Sequence, residues 1–283
     1  MTDTVTLTGE VQGALLRPDR PSGLGVIVLT GSSGRVDLGR AQLFAERGAT
    51  VLAQRWWGGE GQAPGINLIP LEVFVRGIDT LKSEGCERIA VLGVSRGAEA
   101  ALLTAARDPR IDVAIAISPT SVVWQCTGAG LDGHAWPPRS SFTWDGEALP
   151  FIVYDPRAWP PSDGSPPAYR GLHERSLKTF AEDVPAAAIP VEQARADIIL
   201  VAGAGDQLWP SAAAAHEISA RLALHGRQAT VIEHPHAGHS PVFPGEAAPA
   251  EPADRAWGGT PGAARALGAA AWSEITHRLG LAA

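Results

Sequence analysis

The chain has 283 residues, 45% of them hydrophobic and 19% charged, with a formal net charge of −7. A chain of this length can bury roughly 75% of the surface its unfolded form exposes, and 32 Gly plus 23 Pro stay below the level that marks low-complexity disorder. Disorder, collagen and coiled coil are thereby excluded as descriptions of the whole, and an acidic balance with no run of five like charges argues against nucleic acid or an anionic membrane as partner. In chain order, Thr4–Thr8 alternates as a short edge strand, and Leu24–Thr30 is a continuous apolar run ending at Gly31, the pattern of a strand buried on both faces. Leu38–Arg47 has a helical apolar period that stops at Gly48, Thr50–Gln54 is a strand, Trp56–Gln62 a loop, and Pro70–Ser83 a helix with Pro at its start and Gly85 beyond its end. Arg88–Val94 and Ile111–Ile117 are further buried strands, with an alanine-rich helix, Ser95–Arg107, between them. Ala196–Val201, Pro210–Leu224 and Thr230–Glu233 read as strand, helix and strand, and Ala263–Leu281 as a final helix.

Strands alternating with helices of ten or more residues require parallel crossovers, so the expected fold is α/β, a mostly parallel sheet covered on both faces. The chain reads as a single domain, 1–283, without a dividing linker or an internal repeat. Two stretches interrupt the alternation. Pro119–Pro190 holds eleven prolines and four of the nine tryptophans. It is too long for an ordinary connection and too rich in tryptophan for a disordered one, so it is expected to be an ordered, lid-like excursion over the strand ends. Pro241–Pro261 is a second Pro/Gly-rich loop.

Three signals bear on location. No segment approaches 18 uncharged apolar residues, so no membrane span is expected. The first residues lack a basic region followed by an apolar one, so no secretory leader is expected. Cys86 and Cys126 show no metal-ligand spacing and read as two free thiols of a cytoplasmic protein.

The strongest chemical signal is Gly93-Val-Ser95-Arg-Gly97. This is G-x-S-x-G with an apolar strand before it and a helix after it, the setting of a nucleophile elbow. A serine there holds its hydroxyl out at the top of the sheet, small residues on either side let the turn approach its neighbours, and the helix N-terminus favours negative charge nearby. A hydroxyl needs a base, and the elbow predicts an acid and then a histidine further along the chain. Both stand at strand ends, in Ala202-Gly-Ala-Gly-Asp206 and in His234-Pro-His236-Ala-Gly-His239. The expected assignment is Ser95 as nucleophile, His239 as general base and then acid, and Asp206 as the carboxylate that orients His239. Asp197 and Asp183 are the alternative acids, Asp197 standing at the wrong end of its strand.

The oxyanion that such chemistry creates needs backbone donors. The N–H of Arg96 is one, and a second should come from the loop after the strand Leu24–Thr30, with Ser32 and Ser33 equal candidates. Trp56 and Trp57 follow another strand end and are the candidate substrate-binding residues, with packing under a loop as the alternative. Arg55 and Arg96 read as surface arginines near the site, able to meet a substrate anion, and Glu99 as a residue complementing the helix dipole or making a buried hydrogen bond. His234, His236 and His239 are dense enough for a metal site, but no carboxylate or cysteine cluster accompanies them, so no metal is expected.

Several segments together resemble a known family, the C-terminal catalytic domain shared by acyl-CoA thioesterases and bile acid-CoA:amino acid N-acyltransferases. They are Gly93-Val-Ser-Arg-Gly-Ala-Glu99, Ala188-Ile-Pro-Val-Glu192, Asp206-Gln-Leu-Trp-Pro-Ser211, Ala237-Gly-His239 and Gly258-Gly-Thr-Pro261. The resemblance runs from about Leu24 to the C-terminus and implies an α/β-hydrolase fold with the triad on Ser95, Asp206 and His239. The animal members carry an additional N-terminal β domain, which is expected to be missing here. In the family, cysteine accompanies transfer to an amino acid and serine accompanies hydrolysis, so Ser95 implies water as the acceptor. The expected function is hydrolysis of an acyl-CoA-type thioester through an acyl-enzyme, without cofactors and with a small acyl thioester or ester as partner. The alternatives are an ester or lactone hydrolase resembling dienelactone hydrolases, an acyltransferase, and a silent acyl-binding fold.

Overall fold

A computed structural model describes residues 2–247 and 254–281. In chain order the elements are β1 (Thr2–Thr8), β2 (Gln12–Pro18), β3 (Leu24–Leu29), α1 (Leu38–Ala45), β4 (Thr50–Arg55), β5 (Ile69–Pro70), α2 (Glu72–Ser83), β6 (Arg88–Val94), α3 (Arg96–Ala105), β7 (Val113–Ile117), β8 (Phe142–Trp144), β9 (Glu147–Ala148), α4 (Arg170–Thr179), α5 (Val184–Ala187), β10 (Asp197–Gly203), α6 (Ser211–Leu224), β11 (Ala229–His234) and α7 (Pro261–Leu279). Eight strands form one sheet in the order β1-β2-β4-β3-β6-β7-β10-β11. The pairs β1–β2 and β2–β4 are antiparallel, and the pairs from β4 to β11 are parallel.

Side-chain alternation explains why the central strands read as unbroken apolar runs. In β3, Ile27 and Leu29 face one side with α2, α3 and α6, against Phe74, Leu102 and Ile218. Val26 and Val28 face the other side with α1 and α7, against Phe44, Leu267 and Trp272. Both faces are covered, so a polar residue at either parity would be buried without a partner.

Two differences from the sequence reading have local causes. Gln12–Pro18, unassigned from the sequence, is a strand, paired on one side with β1 and on the other with β4. Its Ala14, Leu15 and Leu16 are buried in succession, so neither an alternating nor a helical period marks it. The helix expected from Pro70 begins at Glu72 instead. Pro70 belongs to the short strand β5, and the Leu71 N–H donates to Thr143 O at 3.0 Å, which holds these residues against β8.

The Pro-rich stretch 119–190 carries regular elements of its own. It holds β8, β9, α4 and α5, and its β8 and β9 join β5 from outside the stretch in a small sheet of order β5-β8-β9. Of the second Pro/Gly-rich loop, residues 248–253 lie outside the described residues.

The chain leaves β3 toward β4 on one side and later returns to β6 on the other. The reversal lies between β3 and β6, where open α/β sheets form a crevice outside the carboxyl ends of the strands. Gly31 and Ser95 each lie two residues beyond Leu29 and Gly93, which are paired in register. The topology therefore brings the Gly31 loop and Ser95 face to face.

Candidate active site

Ser95 connects β6 to α3 with φ 57° and ψ −121°. That conformation costs a non-glycine residue about 1–3 kcal/mol and persists only where the surroundings enforce it. Here the surroundings are specific. The Ser95 N–H donates to Ile117 O at 2.9 Å, and the Ser95 carbonyl accepts from Ala98 N at 2.8 Å. A Cβ on Gly93 would stand 1.9 Å from Gly97 O, and a Cβ on Gly97 would stand 2.6 Å from Thr30 O. The G-x-S-x-G spacing is thus a packing requirement: the two glycines let the turn close on itself and against the end of β3.

The acid and the imidazole arrive from neighbouring strand ends. Asp206 follows β10 and is fully buried, and His239 lies beyond β11 at 3% exposure. His239 Nδ1 and Asp206 Oδ2 are 2.8 Å apart. The other carboxylate contacts hold Asp206 in place: Oδ1 accepts from Leu208 N at 2.8 Å and Trp209 N at 3.3 Å, and Oδ2 accepts from Ser211 Oγ at 2.8 Å. Arg170 ties the same loop from outside, donating to Ala204 O at 2.8 Å. The His239 main chain is held by Trp257 O, which accepts from its N–H at 3.0 Å, and by Ser118, whose Oγ donates to His239 O at 2.7 Å. Ser118 follows β7 directly with φ 49°. Ser95 after β6 and Ser118 after β7, both at positive φ, thus stand at adjacent strand ends, and Ser118 anchors the His239 main chain beside them.

Ser95, Ser32 and Arg96 share the lining of a cavity of about 240 Å³ with Tyr154, Trp159, Tyr169, His173 and Trp209. A Cβ on Gly31 would lie 2.9 Å from the Ser95 Cβ and 3.4 Å from Arg96 N. The loop after β3 therefore runs beside the N–H that opens α3. Within that loop the two serines part company. Ser32 lines the cavity, whereas the Ser33 Oγ accepts from Arg35 N at 3.4 Å within the turn.

The structure places the other candidates elsewhere. Trp56 is 2% exposed, donates from Nε1 to Thr30 O at 3.0 Å, and stacks on Phe142 with centroids 5.9 Å apart. Trp57 donates to Gly31 O at 3.3 Å, and its ring lies over Gly34. Both tryptophans support the Gly31 loop from behind, and neither is among the residues lining the cavity. Burial of an indole under the loop, with its N–H satisfied by a loop carbonyl, overrode the expectation that residues after a strand end face substrate.

Arg96 is also not a surface residue. It is 3% exposed; Nη1 meets Glu99 Oε2 at 2.6 Å, and Nη2 donates to Gln125 O at 2.7 Å and to the Ser141 hydroxyl. Glu99 is fully buried, and its Oε1 accepts from Trp124 N at 3.0 Å. Burial pushes the Glu99 carboxyl up to about 7, opposed by the Arg96 guanidinium and the Trp124 N–H. The pair clamps the first turn of α3 to the excursion, which realises the buried-hydrogen-bond reading of Glu99.

Of the remaining candidates, Asp197 opens β10, bound to Arg278 at 3.1 Å, and Asp183 precedes α5. The His236 N–H donates to His234 Nδ1 at 3.1 Å. Among the described residues no three His, Cys, Asp or Glu side chains come together as a metal site. Cys86 and Cys126 are free and buried. Among the described residues no helix is long and apolar enough to cross a membrane.

Sequence reasoning missed His173, Tyr154 and Ser118. His173 and Tyr154 lie in the irregular excursion, where no period announces which side chains turn inward. Trp209 lies in the segment Asp206–Ser211, and its indole N–H donates to Ser118 O at 3.0 Å.

The sheet order, the strained serine at the switch point and the buried acid–imidazole pair make this an α/β hydrolase by fold. Residues 169–279, which take in Asp206 and His239, match the family model described as BAAT / Acyl-CoA thioester hydrolase C terminal. Human acyl-coenzyme A thioesterase 1 is 28% identical over 251 residues, covering 83% of this chain and 54% of the relative. Mouse bile acid-CoA:amino acid N-acyltransferase is 27% identical over 235 residues, covering 81% and 52%. The chain spans about half the length of these relatives. Among solved structures, a puromycin-hydrolyzing peptidase of Mycobacterium tuberculosis has TM-score 0.55 at 13% identity, covering 99% of this chain and 40% of that one. The Pyrococcus furiosus esterase Pf2001 has TM-score 0.50 at 19% identity, covering 82% and 81%. The family resemblance read from the motifs and the expected fold are both met.

Proposed function

We propose that the protein hydrolyses an acyl thioester of the acyl-CoA type with Ser95, His239 and Asp206 as its triad. The observation that carries this reading is the 2.8 Å contact between buried Asp206 Oδ2 and His239 Nδ1, on a sheet that also holds Ser95, beyond β6, in a strained turn beside an open cavity. The Asp206 carboxylate accepts the Nδ1 proton, so Nε2 carries the lone pair that serves as base.

Nε2 takes the Ser95 proton as Oγ bonds to the acyl carbon. The carbonyl oxygen becomes an oxyanion, held by the N–H of Arg96 and that of Ser32, the loop serine that lines the cavity with Ser95. The C–S bond then breaks and the leaving thiol takes the proton from the imidazolium. Water, deprotonated by the same Nε2, attacks the acyl-enzyme; the C–Oγ bond breaks, Ser95 regains its proton and the acid departs. The sequence of steps needs neither metal nor organic cofactor. The free buried thiols of Cys86 and Cys126 fit a reducing, cytoplasmic setting for it.

The test is hydrolysis of an acyl-CoA series beside p-nitrophenyl esters of the same acyl groups, by the wild type and Ser95→Ala. Thioester turnover above ester turnover, lost in Ser95→Ala, is the expected result. Ester turnover alone would replace the thioesterase by an esterase on the same triad. Activity within tenfold of wild type in Ser95→Ala would remove Ser95 from the chemistry.

A further inference from the structure

The cavity beside Ser95 is walled by a continuous series of rings. Trp159 and Tyr169 have centroids 6.1 Å apart, Trp159 and Tyr154 6.2 Å, Tyr154 and His173 5.2 Å, His173 and Trp209 5.7 Å, and Trp209 and His239 5.9 Å. The series leads from Trp159, 56% exposed, to the imidazole of the acid–base pair. These spacings are those at which aromatic rings meet edge to face, and a further ring entering the cavity finds the same geometry. At about 240 Å³ the space lies below the roughly 300–1,000 Å³ of pockets for drug-sized ligands. It suits a compact group better than a long chain.

Besides Ser32, Ser95, Arg96, Thr127 and Arg255, the lining carries one imidazole, that of His173. His173 is 8% exposed, and its Nδ1 lies 2.9 Å from Tyr169 O. A carbonyl only accepts, so Nδ1 carries the proton and Nε2 presents a lone pair. Trp124 at 4.6 Å joins Tyr154 and Trp209 around the ring, all three at interplanar angles of 79–89°. Burial lowers the His173 pKa to about 4, so the imidazole is neutral and an acceptor at neutral pH. Among the described residues no donor meets Nε2. A phenyl ring would fill the same place without a polar atom, whereas this acceptor is left for a ligand that brings a donor.

We infer that His173 determines specificity: the cavity takes a compact aromatic acyl group carrying a hydrogen-bond donor, and His173 Nε2 accepts that O–H or N–H. The substrate class is thus a hydroxy- or amino-substituted aryl thioester, an assignment that rests on the reading of Ser95 as nucleophile at this cavity.

The experiment separates the two claims. Binding of benzamide and of its ring-hydroxylated and ring-methoxylated isomers is followed by the fluorescence of the cavity tryptophans, which needs no catalysis. Ser95-dependent hydrolysis of the matching aroyl-CoA thioesters is measured in parallel. In the wild type at least one hydroxylated isomer should bind about tenfold more tightly than its methoxy counterpart, which keeps the size and loses the donor. In His173→Phe the two should bind within about twofold, and the kcat/KM ratio of the matching thioesters should fall with them. Equal binding of every hydroxy and methoxy pair by the wild type would overturn the inference, whether or not the variant folds. So would a hydroxyl preference that survives His173→Phe. A binding preference without Ser95-dependent turnover would sink the hydrolase reading and leave the cavity assignment standing. Turnover without the preference would do the reverse.

Discussion

Asp206→Asn tests the site where its geometry is tightest. Asp206 is fully buried and its two oxygens are not equivalent. Oδ1 accepts from two backbone donors, Leu208 N and Trp209 N, whereas Oδ2 faces His239 Nδ1 and Ser211 Oγ. Asparagine can satisfy the two N–H groups only with its carbonyl oxygen at the Oδ1 position, which puts its NH2 against His239. Ser211 can rotate its hydroxyl to accept, but His239 then receives a hydrogen bond at Nδ1 and carries its own proton on Nε2. That tautomer cannot take the Ser95 proton. The same substitution in the chymotrypsin-type triad lowers kcat by about 10⁴, and a loss of that order is expected here. The lost charge-assisted contact should cost about 1–3 kcal/mol of stability. The assay is steady-state thioester hydrolysis, with urea unfolding and near-UV circular dichroism as checks on the fold. A loss of kcat smaller than tenfold in a folded variant would refute the tautomer argument and with it the role of His239 Nε2.

Four further perturbations probe the fold and what supports the site. Acid should weaken the fold through His173, which is neutral in the folded state down to about 4 but takes up a proton near 6.5 when unfolded. Its contribution is complete above pH 6.5 and declines toward pH 4, by at most about 3 kcal/mol. Urea midpoints at pH 7 and 4.5 should therefore differ less in His173→Phe than in the wild type. Glu99→Ala leaves the Arg96 guanidinium buried without its partner and should cost about 3–5 kcal/mol. Asp79→Ala, which breaks the exposed Arg110 contact at 2.6 Å, should cost less than about 1 kcal/mol in the same denaturation. Gly97→Ala would drive a Cβ to 2.6 Å from Thr30 O and 2.7 Å from Leu29 O. Backbone cannot rotate away as a side chain can, so about 3 kcal/mol or more of stability should be lost, and kcat should fall as the elbow shifts from the Gly31 loop.

The alternation of apolar runs and helical periods was enough to place the central strands and the major helices within a few residues, because a strand covered on both faces admits no polar residue at either parity. The G-x-S-x-G motif was legible for a similar reason. Gly93 answers a contact four residues away, at Gly97, and the strain is local to Ser95, while Gly97 also meets the end of β3 at Thr30. Asp206 and His239 could be read because each sits just beyond a buried strand and within a distinctive segment. Gln12–Pro18 escaped notice because its buried apolar run is only Ala14, Leu15 and Leu16, too short to stand out as a strand.

What only the tertiary structure decided is the identity of the walls. Trp56 and Trp57 stand beyond a strand end as the site residues do, yet the loop folds over them and their indole N–H groups satisfy its carbonyls. Arg96 follows Ser95 directly, but its side chain turns inward because Glu99, Gln125 and Ser141 converge there from three segments. His173 and Tyr154 lie in an excursion without periodicity and reach the cavity only because the Pro-rich chain returns across the strand ends. Sequence by itself determined the sheet, the elbow and the order of acid and histidine, whose physical causes act over one strand or one turn. The cavity depends on which distant segments come to lie together, and short-range patterns carry no record of that.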